Sequence, residues 1–227
     1  MQTLSIPKMN LRTFFFIYFL LSKLLISSYL FAQHKPAEWE INLLKQLNKA
    51  GTNTMQDKFV WGASQSIYPL TAVLNIWPVV DGVIHKDLNK ITQGATRTLA
   101  TGIAFSSIFL LKNTFRRERP DPAIFSVPFH KTGFSFPSGH AAIASSLATM
   151  IILEKKPWYW CAISISGCLL ISYTRNYLGV HYPGDVITGI LVGSGSALLT
   201  LPLRKITQKC VSKTCKKLKI IPEVIPE

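Results

Sequence analysis

Three polar clusters stand between Lys112 and Asp185, separated by apolar stretches too long to be ordinary loops. The first reads Lys112-Asn-Thr-Phe-Arg-Arg-Glu-Arg119-Pro120 and the second Pro137-Ser138-Gly139-His140. The third is Thr174-Arg175-Asn-Tyr-Leu-Gly-Val-His181-Tyr-Pro-Gly-Asp185. Lys112, Arg119 and Arg175 are permanent cations, His140 and His181 are imidazoles, and Asp185 is a carboxylate. Such a set can grip a phosphate and attack it. Phosphoryl transfer asks mainly for a positioned nucleophile and for charge stabilisation on the equatorial oxygens. Arg119 and Arg175 each offer a fork of N–H donors, and Lys112 offers a point charge. Ser138 and Gly139 precede an apolar run where a helix should begin, so their backbone N–H groups form an anion site, with Ser138 as a cap residue. His181 lies four residues before Asp185; a carboxylate on one ring nitrogen would fix the tautomer and leave the other free to attack. His140 is then suited to protonating the leaving oxygen. The cations do the work of a metal, so neither metal nor cofactor is expected.

These three parts, in this order and spacing, resemble the signature of the type-2 phosphatidate phosphatase superfamily, and in particular its membrane lipid phosphatase and lipid A phosphatase-like branch. Soluble bacterial acid phosphatases and vanadium-dependent haloperoxidases share the motif. One departure is Thr174, where the family usually has serine; the hydroxyl is kept. The resemblance implies an all-α core of the phosphatidate-phosphatase/haloperoxidase type. It also implies a phosphohistidine intermediate on His181, with His140 as the acid and Lys112, Arg119 and Arg175 as phosphate ligands.

The elements that must position these residues look like membrane helices. Of 227 residues, 48% are hydrophobic and only 16% charged, with a mean hydropathy of +0.26; this leans toward an integral-membrane chain. Residues 1–32 carry Lys8 and Arg12 before an apolar run, and read either as a signal peptide cut after Ala32 or as a first transmembrane helix. Residues 33–67 form a periplasmic amphipathic segment, with Trp39, Ile41, Leu43, Leu44 and Leu47 at near-helical spacing and a break at Gly51-Thr-Asn-Thr. Apolar segments follow at about 68–84, 95–111, 141–153, 159–173 and 186–203. The expected architecture is therefore a bundle of five to six transmembrane helices: a membrane-embedded phosphatase domain over 68–204, then a basic cytoplasmic tail over 205–227.

Where the basic residues fall sets the orientation. Lys86 with Lys90, Lys155 with Lys156, and Arg204 onward share one side if the chain simply alternates. The connectors carrying the three motif parts then share the other. Topology alone gathers the site at one face, directed into the periplasm from a bacterial inner membrane.

The net charge of +14 is concentrated at the ends of apolar segments, which suits anionic headgroups and argues against a nucleic-acid partner. No obligate protein partner is implied. Cys161 and Cys168 read as packing, Cys210 and Cys215 as reduced thiols, and Gly189-x3-Gly193 as a close helix approach. Asp81 reads as an interfacial acid beside His85 and Lys86. Arg116 and Arg117 read as a solvated basic face, and His130 as a loop residue. The expected activity is metal-independent phosphoric monoester hydrolysis on a lipid, with lipid A, phosphatidylglycerophosphate or undecaprenyl diphosphate as candidates. The alternatives are a secreted acid phosphatase and a non-catalytic lipid-phosphate binding or transport protein; an intact His181–Asp185 pair weighs against the last.

Overall fold

The structure, a computed structural model, describes residues 35–51, 54–129, 132–218 and 220. The alternatives for residues 1–32 and the reading of His130 lie outside the described residues. All regular elements in that range are helical: α1 (Glu38–Leu47), α2 (Met55–Gln65), α3 (Ile67–Ile84), α4 (Leu88–Phe115), α5 (Gly139–Leu153), α6 (Trp158–Tyr177) and α7 (Pro183–Lys217).

Three stretches are long and apolar enough to cross a bilayer: Met55–Ile84, Leu88–Phe115 and Pro183–Lys217. Five spans follow from the apolar runs, and the two remaining helices show why they differ. α5 has 15 residues, about 22 Å at 1.5 Å each, against a hydrocarbon core of ~30 Å. It is apolar or small all round and buried along most of its length, the pattern of a helix enclosed by others. α6 ends in Ser172, Thr174, Arg175 and Asn176, all buried, so polar residues facing the protein dilute its apolar content. Its outer face keeps Trp158, Tyr159, Ile163, Leu169 and Leu170 exposed, as a lipid-facing surface would. The chain is a membrane protein with an all-helical fold.

α5 is the central element, packing against α3, α4, α6 and α7. Its contact with α7 depends on glycine. A Cβ on Gly193 would collide with the Ala142 carbonyl oxygen and the Ser145 hydroxyl, and one on Gly189 with the Ser138 carbonyl. Backbone therefore meets backbone along this seam, as the Gly-x3-Gly spacing leads one to expect. Gly193→Ala is expected to cost roughly 1–3 kcal/mol through overpacking, whereas Gly102→Ala, which meets nothing within 4 Å, should cost none. Thermal melts in detergent check this, and equal melting temperatures would show that the seam is loose.

The two ends of the bundle are tied differently. At one end the backbone N–H of Ser138 donates to the Asp185 carbonyl at 2.9 Å, locking the starts of α5 and α7 together. At the other, Arg97 of α4 forks onto Glu154, with Nε at 2.6 Å from Oε1. Asp81 is ion-paired there too, with His85 at 2.8 Å and Lys90 at 2.6 Å; the lysine is Lys90 rather than Lys86. α1 and α2 cover the first end. The Asn48 side chain bonds the carbonyls of Ser126 (2.9 Å) and Tyr177 (2.8 Å), so the end of α1 is stapled to the long connector and to the end of α6. α7 continues unbroken from its span through Lys217, so the basic residues after 204 extend that helix.

Candidate active site

α4 ends at Arg116, whose left-handed φ of 49° stops the helix. The connector beyond it turns alternate residues inward. Arg116 and Glu118 are exposed, while Arg117 and Pro120 are buried and Arg119 is half-buried. Lys112, in the last turn of α4, reaches over this connector, and its Nζ donates to the carbonyls of Phe134 at 2.6 Å and Ser135 at 3.1 Å. Arg119 is held by the carbonyls of Val180 at 2.7 Å, Gly133 at 3.0 Å and Phe134 at 3.3 Å. Its Nη1 stands 3.4 Å from His181 Nε2. Lys112, Arg119 and His181 thus meet at one place, from segments far apart in sequence.

On the other side of the His181 ring the structure corrects the expected contact. Nδ1 lies 3.6 Å from Asp185 Oδ2, too far for a good hydrogen bond. Ser135 intervenes: its hydroxyl donates to Asp185 Oδ2 at 2.5 Å and stands 3.4 Å from Nδ1. Asp185 also accepts the Tyr182 backbone N–H at 2.9 Å, which places it in the first turn of α7. These partners favour the proton on Nδ1 and the lone pair of Nε2 facing Arg119, an assignment made from the hydrogen-bond network.

Arg117 is the second correction. It is fully buried rather than part of a solvated face, because two carboxylates enclose it: Asp185 Oδ1 at 2.8 Å and Glu40 Oε2 at 2.5 Å. Its guanidinium also lies 4.6 Å above the Tyr182 ring. Burial would lower its pKa, but the Glu40 and Asp185 bonds and charges prevail and hold it above the ordinary arginine value. Among the described residues Arg119 has no such pair; burial lowers its pKa, partly offset by the charges of Asp185 and Tyr68. Burial carries the Tyr182 phenol up to about 12, against the pull of Arg117. Arg116 is exposed, as the sequence suggests.

Ser138 occupies the N-cap position of α5, yet makes no side-chain cap bond, and its buried Oγ has no partner among the described residues. Gly139 opens the helix, so the first N–H groups of α5 face this end of the bundle. His140, one residue on, is bracketed by residues of α2 and α3. Its Nε2 is 2.6 Å from Gln65 Oε1, its Nδ1 3.2 Å from the Tyr68 hydroxyl. Arg175 is fully buried on α6, with Nη1 donating to Ser64 Oγ at 2.5 Å. Its Nε and Nη2 have no partner among the described residues. Ser64 and Gln65 are neighbours at the end of α2, so one short segment holds both His140 and Arg175. The Ser138 N–H bond to the Asp185 carbonyl at 2.9 Å joins the start of α5, and with it His140, to the His181 group. All eight residues expected from the motifs therefore gather at one end of the bundle. Orphaned donors at Ser138 and Arg175 fit an anion with several acceptor oxygens. Among the described residues, no group of three His, Cys, Asp or Glu side chains stands where it could hold a metal ion.

A bundle with an apolar exterior and this cationic, imidazole-bearing end defines an integral-membrane phosphatase. Residues 95–208 match the PAP2 superfamily, and the chain belongs to that superfamily. It is 30% identical to an undecaprenyl-diphosphatase of Sulfolobus acidocaldarius, over 87% of this chain and 98% of that one. It is 42% identical to a lipid A 4'-phosphatase of Bacteroides thetaiotaomicron, over 36% of this chain and 37% of that protein. The fold resembles the crystal structure of a transmembrane PAP2-type phosphatidylglycerolphosphate phosphatase from Bacillus subtilis. That likeness has a TM-score of 0.63 and 21% identity, covering 82% of this chain and 96% of that one. The protein is a lipid-phosphate phosphatase embedded in a membrane.

Proposed function

We propose that the protein removes phosphate from a lipid carrier at the outer face of the cell membrane through a phosphohistidine on His181. In the first step Nε2 attacks phosphorus and the bond to the lipid oxygen breaks. His140 gives its proton to that departing oxygen. In the second step water attacks phosphorus, the P–N bond breaks, His140 takes the proton from the water, and inorganic phosphate leaves. Lys112, Arg119, Arg175, the Ser138 hydroxyl and the Gly139 N–H hold the phosphoryl oxygens; the Ser138 N–H, expected from the sequence to join them, is taken by the Asp185 carbonyl at 2.9 Å. Asp185, acting through Ser135, keeps Nδ1 protonated and favours the ring charge that develops on phosphorylation. One observation carries the reading: an arginine donor stands at Nε2 while a hydroxyl–carboxylate relay occupies the opposite nitrogen.

Two arguments support the outward orientation and the lipid substrate. Lys90, Lys155 and the basic end of α7 lie at the bundle end away from the site, the arrangement favoured for the cytoplasmic side. A site at the other end of helices that cross the bilayer stands near the headgroup plane, where lipid phosphates lie. Undecaprenyl diphosphate comes first among candidates, because a relative matched over 98% of its length is named for that substrate; lipid A and phosphatidylglycerophosphate follow. Phosphate release from these three lipids in detergent, with and without excess chelator, is the test. Release from one of them that persists in chelator is expected, since fixed cations hold the phosphate. Release from a soluble ester alone would overturn the lipid assignment, and loss in chelator would overturn the metal-free mechanism.

A further inference from the structure

Glu40 and Arg117 are buried, charged and unused by the mechanism above. Glu40 is 1% exposed and Arg117 0%, although Glu40 belongs to α1, outside the membrane-spanning helices. The Glu40 carboxylate is tightly built in. Besides Arg117 it accepts the backbone N–H of Gly184 at 3.1 Å and of Ala37 at 3.0 Å. A Cβ at Gly184 would strike its oxygen, so glycine in the first turn of α7 is what admits it. The resulting chain runs Glu40, Arg117, Asp185, Ser135, His181, each link a contact of 3.4 Å or less.

Charges alternate along this chain, and that order has a consequence. A guanidinium 2.8 Å from Asp185 Oδ1 would by itself cancel the carboxylate on which the histidine ring depends. A second carboxylate on the same guanidinium balances it and leaves the Asp185 charge effective at the ring. We propose that Glu40 is a positioning residue for the reaction: by neutralising Arg117 it keeps Asp185 able to orient and stabilise His181. The inference rests on His181 being the nucleophile. Other charged and titratable groups also face this region. Arg119 comes from the connector, Lys112 from α4, Arg175 from α6 and Tyr68 from α3, and Tyr182 and Asp121 lie on the Arg117 side. All are unchanged by the substitutions below.

The test is the acid limb of the kcat/KM profile, which reports the free enzyme's essential base. Glu40→Gln lets Arg117 neutralise Asp185, so the charged ring is disfavoured. The limb should move down by about one pH unit, and kcat should fall roughly 10- to 100-fold, the usual loss when a group that orients a reacting side chain is removed, with KM little changed. Arg117→Met removes the cation, so the limb should move up by a similar amount. The double variant should return it close to the wild-type position. The opposite signs keep the proposal testable if one single variant fails to fold. A limb that stays put, or that moves the same way in both single variants, would overturn it, as would activity lost only in step with melting temperature. If His181→Ala in the same series still turns over, the nucleophile assignment has failed instead.

Discussion

His181→Ala abolishes turnover, by about six orders of magnitude, the scale seen when a nucleophile or its base is deleted, while the protein remains folded in the membrane. The local geometry supports both halves of this expectation. What alanine removes is the ring whose Nε2 faces Arg119 at 3.4 Å. What it keeps is the loop: the His181 carbonyl still accepts the Asn176 side chain at 3.0 Å, and the Val180 N–H still donates to the Arg175 carbonyl at 3.2 Å. Ser135 keeps its bond to Asp185, and Arg119 its bond to the Val180 carbonyl. A cavity at one nearly buried side chain should cost no more than a few kcal/mol. Quenched single-turnover experiments check the chemistry directly. Wild type should accumulate an acid-labile phosphoenzyme that His181→Ala never forms. His140→Ala should still form it from p-nitrophenyl phosphate, whose leaving group needs no proton. Turnover retained in His181→Ala would remove this histidine as nucleophile.

How far the sequence carries depends on whether a residue's role is local. The helix start at Gly139 is legible because a serine before an apolar run is a start signal, whereas the last helix begins at Pro183, three residues ahead of the apolar run at 186–203. Alternation of spans then brings Lys112, Arg119, His140, Arg175, His181 and Asp185 to one end without any tertiary information. What stays hidden is the set of partners supplied by unremarkable segments. Glu40 looks like any carboxylate on an amphipathic helix; its one signal is that it shares a face with Leu44, four residues on. Ser64, Gln65 and Tyr68 sit across the α2–α3 junction, where nothing announces that α5 and α6 will pack beside them. Ser135 lies two residues before Pro137 in a connector that composition cannot fold. Arg117 departs from the solvated face that its neighbours suggest for a definite reason. A run of basic residues is a solvated face if the segment is helical, but the left-handed turn at Arg116 ends the helix. The irregular chain beyond it buries Arg117 and half-buries Arg119 while Glu118 stays exposed. The short span of α5 has a similar origin: its low polarity reflects burial within the bundle as much as contact with lipid.

Arg175→Met is expected to destroy activity while leaving the ligand-free protein no less stable, and by the following argument more so. The Arg175 side chain is fully buried, yet it makes one hydrogen bond, to Ser64, and two of its nitrogens have no partner among the described residues. No carboxylate is ion-paired with it there, in contrast to Arg117 with two. Removing a buried, poorly compensated charge in favour of an apolar side chain of similar length commonly stabilises by about 1–4 kcal/mol. A bound phosphate supplies what is missing, because its oxygens accept charge-assisted bonds from the free N–H groups. The position is therefore strained until substrate arrives, and the interaction grows as charge builds on the equatorial oxygens. Loss of one such donor should cost roughly 10²–10³ in kcat. Orthovanadate, which mimics the trigonal-bipyramidal phosphoryl group, reads out the same balance without turnover. At about 100 times its Kd it should stabilise wild type by ~2.7 kcal/mol, and most of that gain should vanish in Arg175→Met. Thermal melts of both proteins with and without vanadate decide the matter. A variant that melts lower than wild type without ligand, yet gains as much from vanadate, would make Arg175 a structural residue and leave the phosphate to Lys112 and Arg119.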